Sequence, residues 1–177
     1  MYLLGPSAVS FAIGMYDKRA LLKQNLVTVL AAVMVSSLGG LYGTAALVRL
    51  IALGGKFGAS IIRLSMLSRN VTTALALPLT SMIGGDLALA AAVVCMTGVM
   101  GATYGKPILE YFGIKDPVTR GLAVGGAAQG LGVASMADEK DAFPFAAIAM
   151  VLNAVISTTL VTFPAVKNSL VKVATGN

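Results

Sequence analysis

The chain has 177 residues, 57% of them hydrophobic and 11% charged, with a mean hydropathy of +0.87 and a formal net charge of +6. Soluble domains carry about 25% charged residues, and a domain this small has too much surface for thirteen bases and seven acids to cover. A soluble enzyme, a disordered tail and a disulfide-stapled secreted module are excluded, which leaves an integral membrane protein.

Charges divide the chain into uncharged runs at residues 1–16, 24–48, 70–85, 87–105, 121–137 and 142–166. A helix needs about 20 residues to cross about 30 Å of hydrocarbon. The second, fourth and sixth runs reach that length alone. The first has Gly5-Pro6 near its start, no basic region before it and no small-residue cleavage site after it. It reads as a span without its beginning, or as a half-helix, and not as a signal peptide. Around the third run, residues 58–66 form one helical piece. Arg69-Asn70-Val71-Thr72-Thr73 interrupts it, and residues 74–83 resume it with Pro78 inside. The fifth run holds Gly121, Gly125, Gly126, Gly130 and Gly132. Its Gly-x-x-x-Gly spacing suits close helix packing as well as it suits a break.

Paired interrupted segments flanking a clean span point to a transporter binding site. Broken helices leave backbone groups that lipid cannot satisfy, and half-helix N-termini carry positive partial charge suited to an anion. The expected fold is therefore all-α, a polytopic membrane helix bundle with two broken or re-entrant helices in one domain over residues 1–177. The loop with Asp17, Lys18, Arg19 and Lys23 is basic, as is that with Lys106, Lys115 and Arg120, whereas Asp138-Glu139-Lys140-Asp141 is acidic. The positive-inside rule favours re-entry of the third run, with both basic loops and the tail (Lys167, Lys172) on one side.

Arg69 is the charge that calls for a function, because a guanidinium at membrane depth is costly and its fork of donors suits a carboxylate. The alternative places it at an interface, snorkelling like Arg63. Thr72 and Thr73 either satisfy broken backbone or solute, or bond back to their own helix. Gln129, set among glycines, offers an amide to a pocket without the cost of a charge, and Asn153 suits interhelical packing. Asp116 and Pro117 read as the N-cap and first residue of a helix, with Arg120 structural in its first turn. The absence of histidine removes His-based acid–base chemistry, His–metal sites and Ser-His-Asp triads. The bases form no clustered nucleic-acid footprint, and the glycines lack the lysine of a phosphate-binding loop. The candidate substrate-binding residues are Arg69, Asn70, Thr72, Thr73, Gly126, Gln129 and Gly130. No catalytic residue, metal or cofactor is expected.

Several stretches together resemble the LrgB family of membrane proteins: Leu4-Gly5-Pro6-Ser7, Arg69-Asn70-Val71-Thr72-Thr73, Thr97-Gly98 with Gly101, Lys115-Asp116-Pro117-Val118-Thr119-Arg120-Gly121, Gly130-Leu131-Gly132 and Phe143-Pro144-Phe145-Ala146. Thr73-Ala74-Leu75-Ala76-Leu77-Pro78 and the Phe163-Pro164-Ala165-Val166 end are similar to the plastid branch of that family, which translocates glycolate and glycerate. The resemblance implies movement of small 2-hydroxycarboxylates, with proton coupling or counter-exchange, across the chloroplast inner envelope. A bacterial inner membrane is the alternative location. It also implies further spans before the Leu-Gly-Pro stretch and an LrgA-like partner half, or assembly of several copies. Where the family commonly has histidine, this chain has Gln129, and Asn153 replaces a small residue. The leading expectation is a secondary transporter of small organic anions in the lipid bilayer, not an enzyme. The alternatives are a holin-like or regulatory membrane protein without specific transport, and a fragment with no activity alone.

Overall fold

The computed structural model describes residue 16, residues 19–51 and residues 59–176. The first uncharged run, with Gly5-Pro6, lies outside the described residues, as do Asp17, Lys18 and Gly58.

A short helix α1 (Arg19–Gln24) leads into α2 (Leu26–Leu50). Next come α3 (Ala59–Met66), a 3-10 turn (Leu67–Asn70) and α4 (Thr73–Ile83). The chain continues with α5 (Leu87–Tyr111), α6 (Pro117–Ser135), α7 (Phe143–Thr162) and α8 (Pro164–Thr175). Among the described residues, α2, α5 and α7 are long and apolar enough to cross a membrane. They are the helices expected from the second, fourth and sixth runs. Twenty-five residues of α2 or α5 span about 37 Å at 1.5 Å per residue.

Local sequence sets the helix ends. Asp86 caps α5 by accepting from the Leu89 N–H at 2.7 Å, and Asp116 caps α6 by accepting from the Thr119 N–H at 2.8 Å, with Pro117 in the first turn. Gly84, at φ 80°, ends α4, with the Gly85 N–H returning to the Thr80 carbonyl at 3.0 Å. That left-handed C-cap is open to glycine at little cost.

The segment 59–83 does not cross. Its two halves fold back on each other: the Thr80 hydroxyl donates to Ser68 Oγ at 2.8 Å, and the Asp86 N–H donates to Ser65 Oγ at 2.7 Å. A Cβ on Gly85 would stand 2.9 Å from the Ser65 nitrogen. In a continuous helix residues 65 and 85 would be about 30 Å apart. The segment is thus a hairpin with its tip at Val71–Thr72, as the charge distribution favoured.

Segment 117–135 folds back as well. Gln129 leaves the helical region, with φ 56° and ψ −156°. A Cβ on Gly132 would lie 3.3 Å from Val124 Cγ1, eight residues back. The Arg120 guanidinium at the start of α6 grips Glu139 beyond its end. The glycines serve both roles left open in the sequence. The helix breaks beside Gly130, while Gly121 and Gly125 let α6 lie against the backbone of α7, where a Cβ would overlap the carbonyls of Ala142 and Ala146.

These contacts order the bundle. The start of α2 packs with Leu122 and Phe145 near the starts of α6 and α7, and its end packs with Leu170 and Ala174 of α8. The first hairpin has its base where α5 starts, and the second where α5 ends. Because α5 crosses once between them, the hairpins enter from opposite ends and meet tip to tip. The loops with Arg19 and Lys115 share one end, as expected. The tail with Lys167 and Lys172 does not join them: α7 starts at that end and α8 packs at the other. The expectation of a common side is corrected, because the fifth run also turns back and so adds no crossing.

Candidate functional site

The meeting point of the two hairpins is a largely buried polar junction. Val71 and Thr72 are extended (φ −123°, ψ 160°; φ −61°, ψ 148°), so the Asn70 carbonyl projects from the end of the 3-10 turn instead of feeding a helix. The Gln129 side-chain amide donates to it, and Asn153 Nδ2 donates to it at 2.7 Å. Asn153 Nδ2 also reaches the Gly126 carbonyl at 3.4 Å, and Asn153 Oδ1 accepts from the Ser37 hydroxyl at 2.8 Å. Ser36 Oγ donates to the Gly126 carbonyl at 3.0 Å, while its own carbonyl takes the Asn70 amide at 3.2 Å. Both broken segments are thereby tied to α2 and α7. This is how backbone freed at membrane depth must be satisfied. Of the side chains that hold the junction, Ser37, Asn70, Gln129 and Asn153 are buried and Ser36 is half-buried.

The junction carries strain and one open valence. Gln129 is the non-glycine residue with positive φ among the described residues, in a region occupied almost only by glycine and costing about 1–3 kcal/mol. Its Oε1 is buried with no donor among the described residues, an acceptor that gains from a hydroxyl or water.

Arg69 points away from this junction. Its Nε donates to Thr44 Oγ1 at 2.8 Å, and Thr44 in turn donates to the Gly40 carbonyl one turn back in α2. Nη1 and Nη2 have no partner among the described residues. The side chain is half-buried, about 9 Å of helix rise from the end of α2 at its Thr44 anchor. It lies inside the bundle and not out at the tip of the chain. It closes one wall of a laterally open cavity of about 800 Å³ between α5 and α6. Met66, Val93, Met96, Val124 and Ala127 contribute apolar wall, and Thr97 and Tyr104 also line it, the Thr97 hydroxyl donating back to the Val93 carbonyl at 2.9 Å. Arg69 is the one charged side chain on that wall among the described residues. A half-buried cation facing apolar surface is costly unless an anion or hydrogen-bond acceptors meet it.

The candidate residues fall into three places. Arg69 lines the cavity. Asn70, Gly126 and Gln129 meet in the junction beside it. Thr72 is half-buried as the cap residue of α4, Thr73 is exposed in its first turn, and Gly130 is exposed just past the break. The N–H groups of Thr72, Thr73 and Ala74 have no acceptor among the described residues, so the N-terminus of α4 presents free donors next to Arg69. Sequence reasoning missed Thr97 and Tyr104 as cavity residues. Nothing local marks them, because their position on the wall depends on which face of α5 meets α6. Asn153, expected to serve packing, is the link between both tips and α2.

At the base of the second hairpin, Arg120 holds Glu139 through Nε at 2.8 Å and Nη2 at 2.6 Å, and donates to the Ile114 carbonyl at 2.9 Å. Lys106 of α5 pairs with Asp138 and lies 3.9 Å from Glu139. The hydrogen bonds from Arg120 hold the Glu139 carboxyl below its ordinary range, and Lys106 does the same for Asp138. Arg120 is structural, as expected, and clamps both ends of the hairpin.

Three helices long and apolar enough to cross a membrane, with two opposed re-entrant hairpins joined tip to tip between them, define an integral membrane helix bundle. The LrgB-like family model matches residues 1–166, and the chain belongs to that family. It is 38% identical over 98% of its length to the plastidal glycolate/glycerate translocator 1 of Arabidopsis thaliana, covering 33% of that protein. It is 33% identical over 75% of its length to the antiholin-like protein LrgB of Bacillus subtilis, covering 55% of it. The chain thus spans about a third to just over half of these relatives. No solved structure matches it.

Proposed function

We propose that the chain is the core of a secondary transporter for small 2-hydroxycarboxylates such as glycolate or glycerate, working by alternating access. The observation that carries this is the Arg69 guanidinium, whose Nη1 and Nη2 are open inside the bundle beside the junction of two opposed hairpins. The carboxylate binds Arg69 and the free N–H groups at Thr72 and Thr73. The hydroxyl donates to Gln129 Oε1 as the tips part around Asn70, Gly126 and Gly130. Hairpins entering from opposite ends make this motion economical, since each tip opens toward one side only. Flux is driven by proton coupling or counter-exchange, and no bond in the solute is made or broken. The name of the plastid relative supports the solute class and a chloroplast location; we place the chain in the chloroplast inner envelope, with a bacterial inner membrane as the alternative. An LrgA-like partner half or further copies of the chain complete the assembly.

The test is uptake of radiolabelled glycolate into vesicles holding the full chain and loaded with glycerate. Saturable counter-exchange is expected, falling at least tenfold in Arg69→Ala and only partly rescued by Arg69→Lys, which cannot offer a fork. Vesicles that exchange neither acid refute the reading. The antiholin-like name of the bacterial relative favours a second reading, a holin-like or regulatory protein. It predicts unsaturable leakage of unrelated solutes, indifferent to Arg69.

A further inference from the structure

The cavity on Arg69 is much larger and more apolar than a 2-hydroxycarboxylate requires. An acid of five to seven heavy atoms fills on the order of 100–200 Å³ at about the volume of one water molecule per heavy atom. The cavity holds about 800 Å³. Its length follows α5 from Val93 to Ile108, about 22 Å of helix rise. Beyond Arg69, Thr97 and Tyr104 its wall offers hydrocarbon and backbone. Met96, Met100, Tyr104 and Ile108 are exposed along it, so the groove is open along its side and not only at its ends.

We infer that this groove binds a single-chain aliphatic monocarboxylate of about six to ten carbons, its head on Arg69 Nη1 and Nη2 and its tail along α5 and α6, in competition with the small hydroxyacid. Charge complementarity selects this occupant. One cation with open donors stands at one wall of an otherwise apolar trough, so a single anionic head matches it. A second carboxylate finds no second cation among the described residues of the wall, and a neutral chain leaves Nη1 and Nη2 without an acceptor. A phospholipid headgroup belongs at the bundle ends, whereas Arg69 is anchored to Thr44 inside α2. The inference rests on the reading of Arg69 as the partner of an anion, and its test is binding rather than transport.

Titration of butanoate, hexanoate and octanoate into the purified full chain, followed by calorimetry, reads it directly. The dissociation constant is expected to fall about fourfold per methylene taken from water, and octanol is expected to bind at least tenfold more weakly than octanoate. Arg69→Ala removes binding of the whole series. Ala127→Phe puts a ring into the exposed wall of the groove and flattens the chain-length gradient. Octanol binding as well as octanoate, an arm that needs no variant, overturns the inference. An equal gradient in wild type and a folded Ala127→Phe also overturns it, because the tails are then partitioning into detergent. Glycolate exchange without an octanoate gradient sinks this inference and leaves the transport reading intact. An octanoate gradient without glycolate exchange does the reverse.

Discussion

Asn153→Ala is the sharpest test of the tip-to-tip junction. Asn153 makes short bonds to the Asn70 carbonyl at 2.7 Å and from the Ser37 hydroxyl at 2.8 Å, with a longer one to the Gly126 carbonyl at 3.4 Å. Truncation removes all three. The Asn70 carbonyl keeps Gln129 and the Gly126 carbonyl keeps Ser36, so neither acceptor is orphaned. Ser37, fully buried, loses its good acceptor and is left with the Asn153 backbone carbonyl at 3.5 Å. Interhelical hydrogen bonds in membranes average about 0.6 kcal/mol, so the two short bonds account for about 1.2 kcal/mol. The stranded hydroxyl and the void raise the total to about 2–3 kcal/mol. Detergent-solubilised protein should melt about 4–12 °C lower, at about 2–4 °C per kcal/mol for a chain this size. A double-mutant cycle with Ser37→Ala, read by unfolding in a denaturing detergent, should give about 0.6–1.7 kcal/mol of coupling. A fully stable Asn153→Ala, or zero coupling to Ser37, refutes the placement of these hairpins.

Three further outcomes follow from the packing. Gly125→Ala places a Cβ 2.7 Å from Ala146 Cα. It should force α6 from α7 and cost about 1–3 kcal/mol or more, seen as a lower yield of monodisperse protein. Gly43→Ala, with nothing within 4 Å of the new Cβ, should be neutral or gain up to about 1 kcal/mol from helix propensity. Because Arg120 lowers the Glu139 carboxyl below its unfolded value, the clamp's stability is fully present above the unfolded pKa of about 4.3. It is lost as pH falls through the folded value. Hydrogen exchange at residues 136–142 should therefore rise only below about pH 4. Glu139→Gln should shrink that step to the part carried by Asp138 on Lys106, while weakening the hairpin base at neutral pH by about 1–3 kcal/mol.

What was legible in the sequence is what depends on neighbours along the chain. Hydrocarbon thickness is a one-dimensional constraint, so α2, α5 and α7 could be read from run length. The cluster Arg69-Asn70-Val71-Thr72-Thr73 marked the first break, because extended backbone and a charge cannot continue an apolar helix. Asp116-Pro117 marked a helix start by the same local rule. The second break was ambiguous, since glycine spacing that permits a turn also permits close packing, and segment 117–135 uses it for both. Run lengths and loop charges could not say that this segment returns, and that return alone moved Lys167 and Lys172 to the other end.

Tertiary structure decided the rest through contacts between residues far apart in sequence: Asn70 with Gln129 and Asn153, Arg69 with Thr44, Arg120 with Glu139. Nothing in the local sequence specifies such pairs. Backbone groups released at each break must find donors in a medium that offers none, and the side chains able to supply them lie on other helices. The cavity on Arg69 has the same origin, because its walls exist only once α5 and α6 pack, with Gly101 drawing Ala128 close.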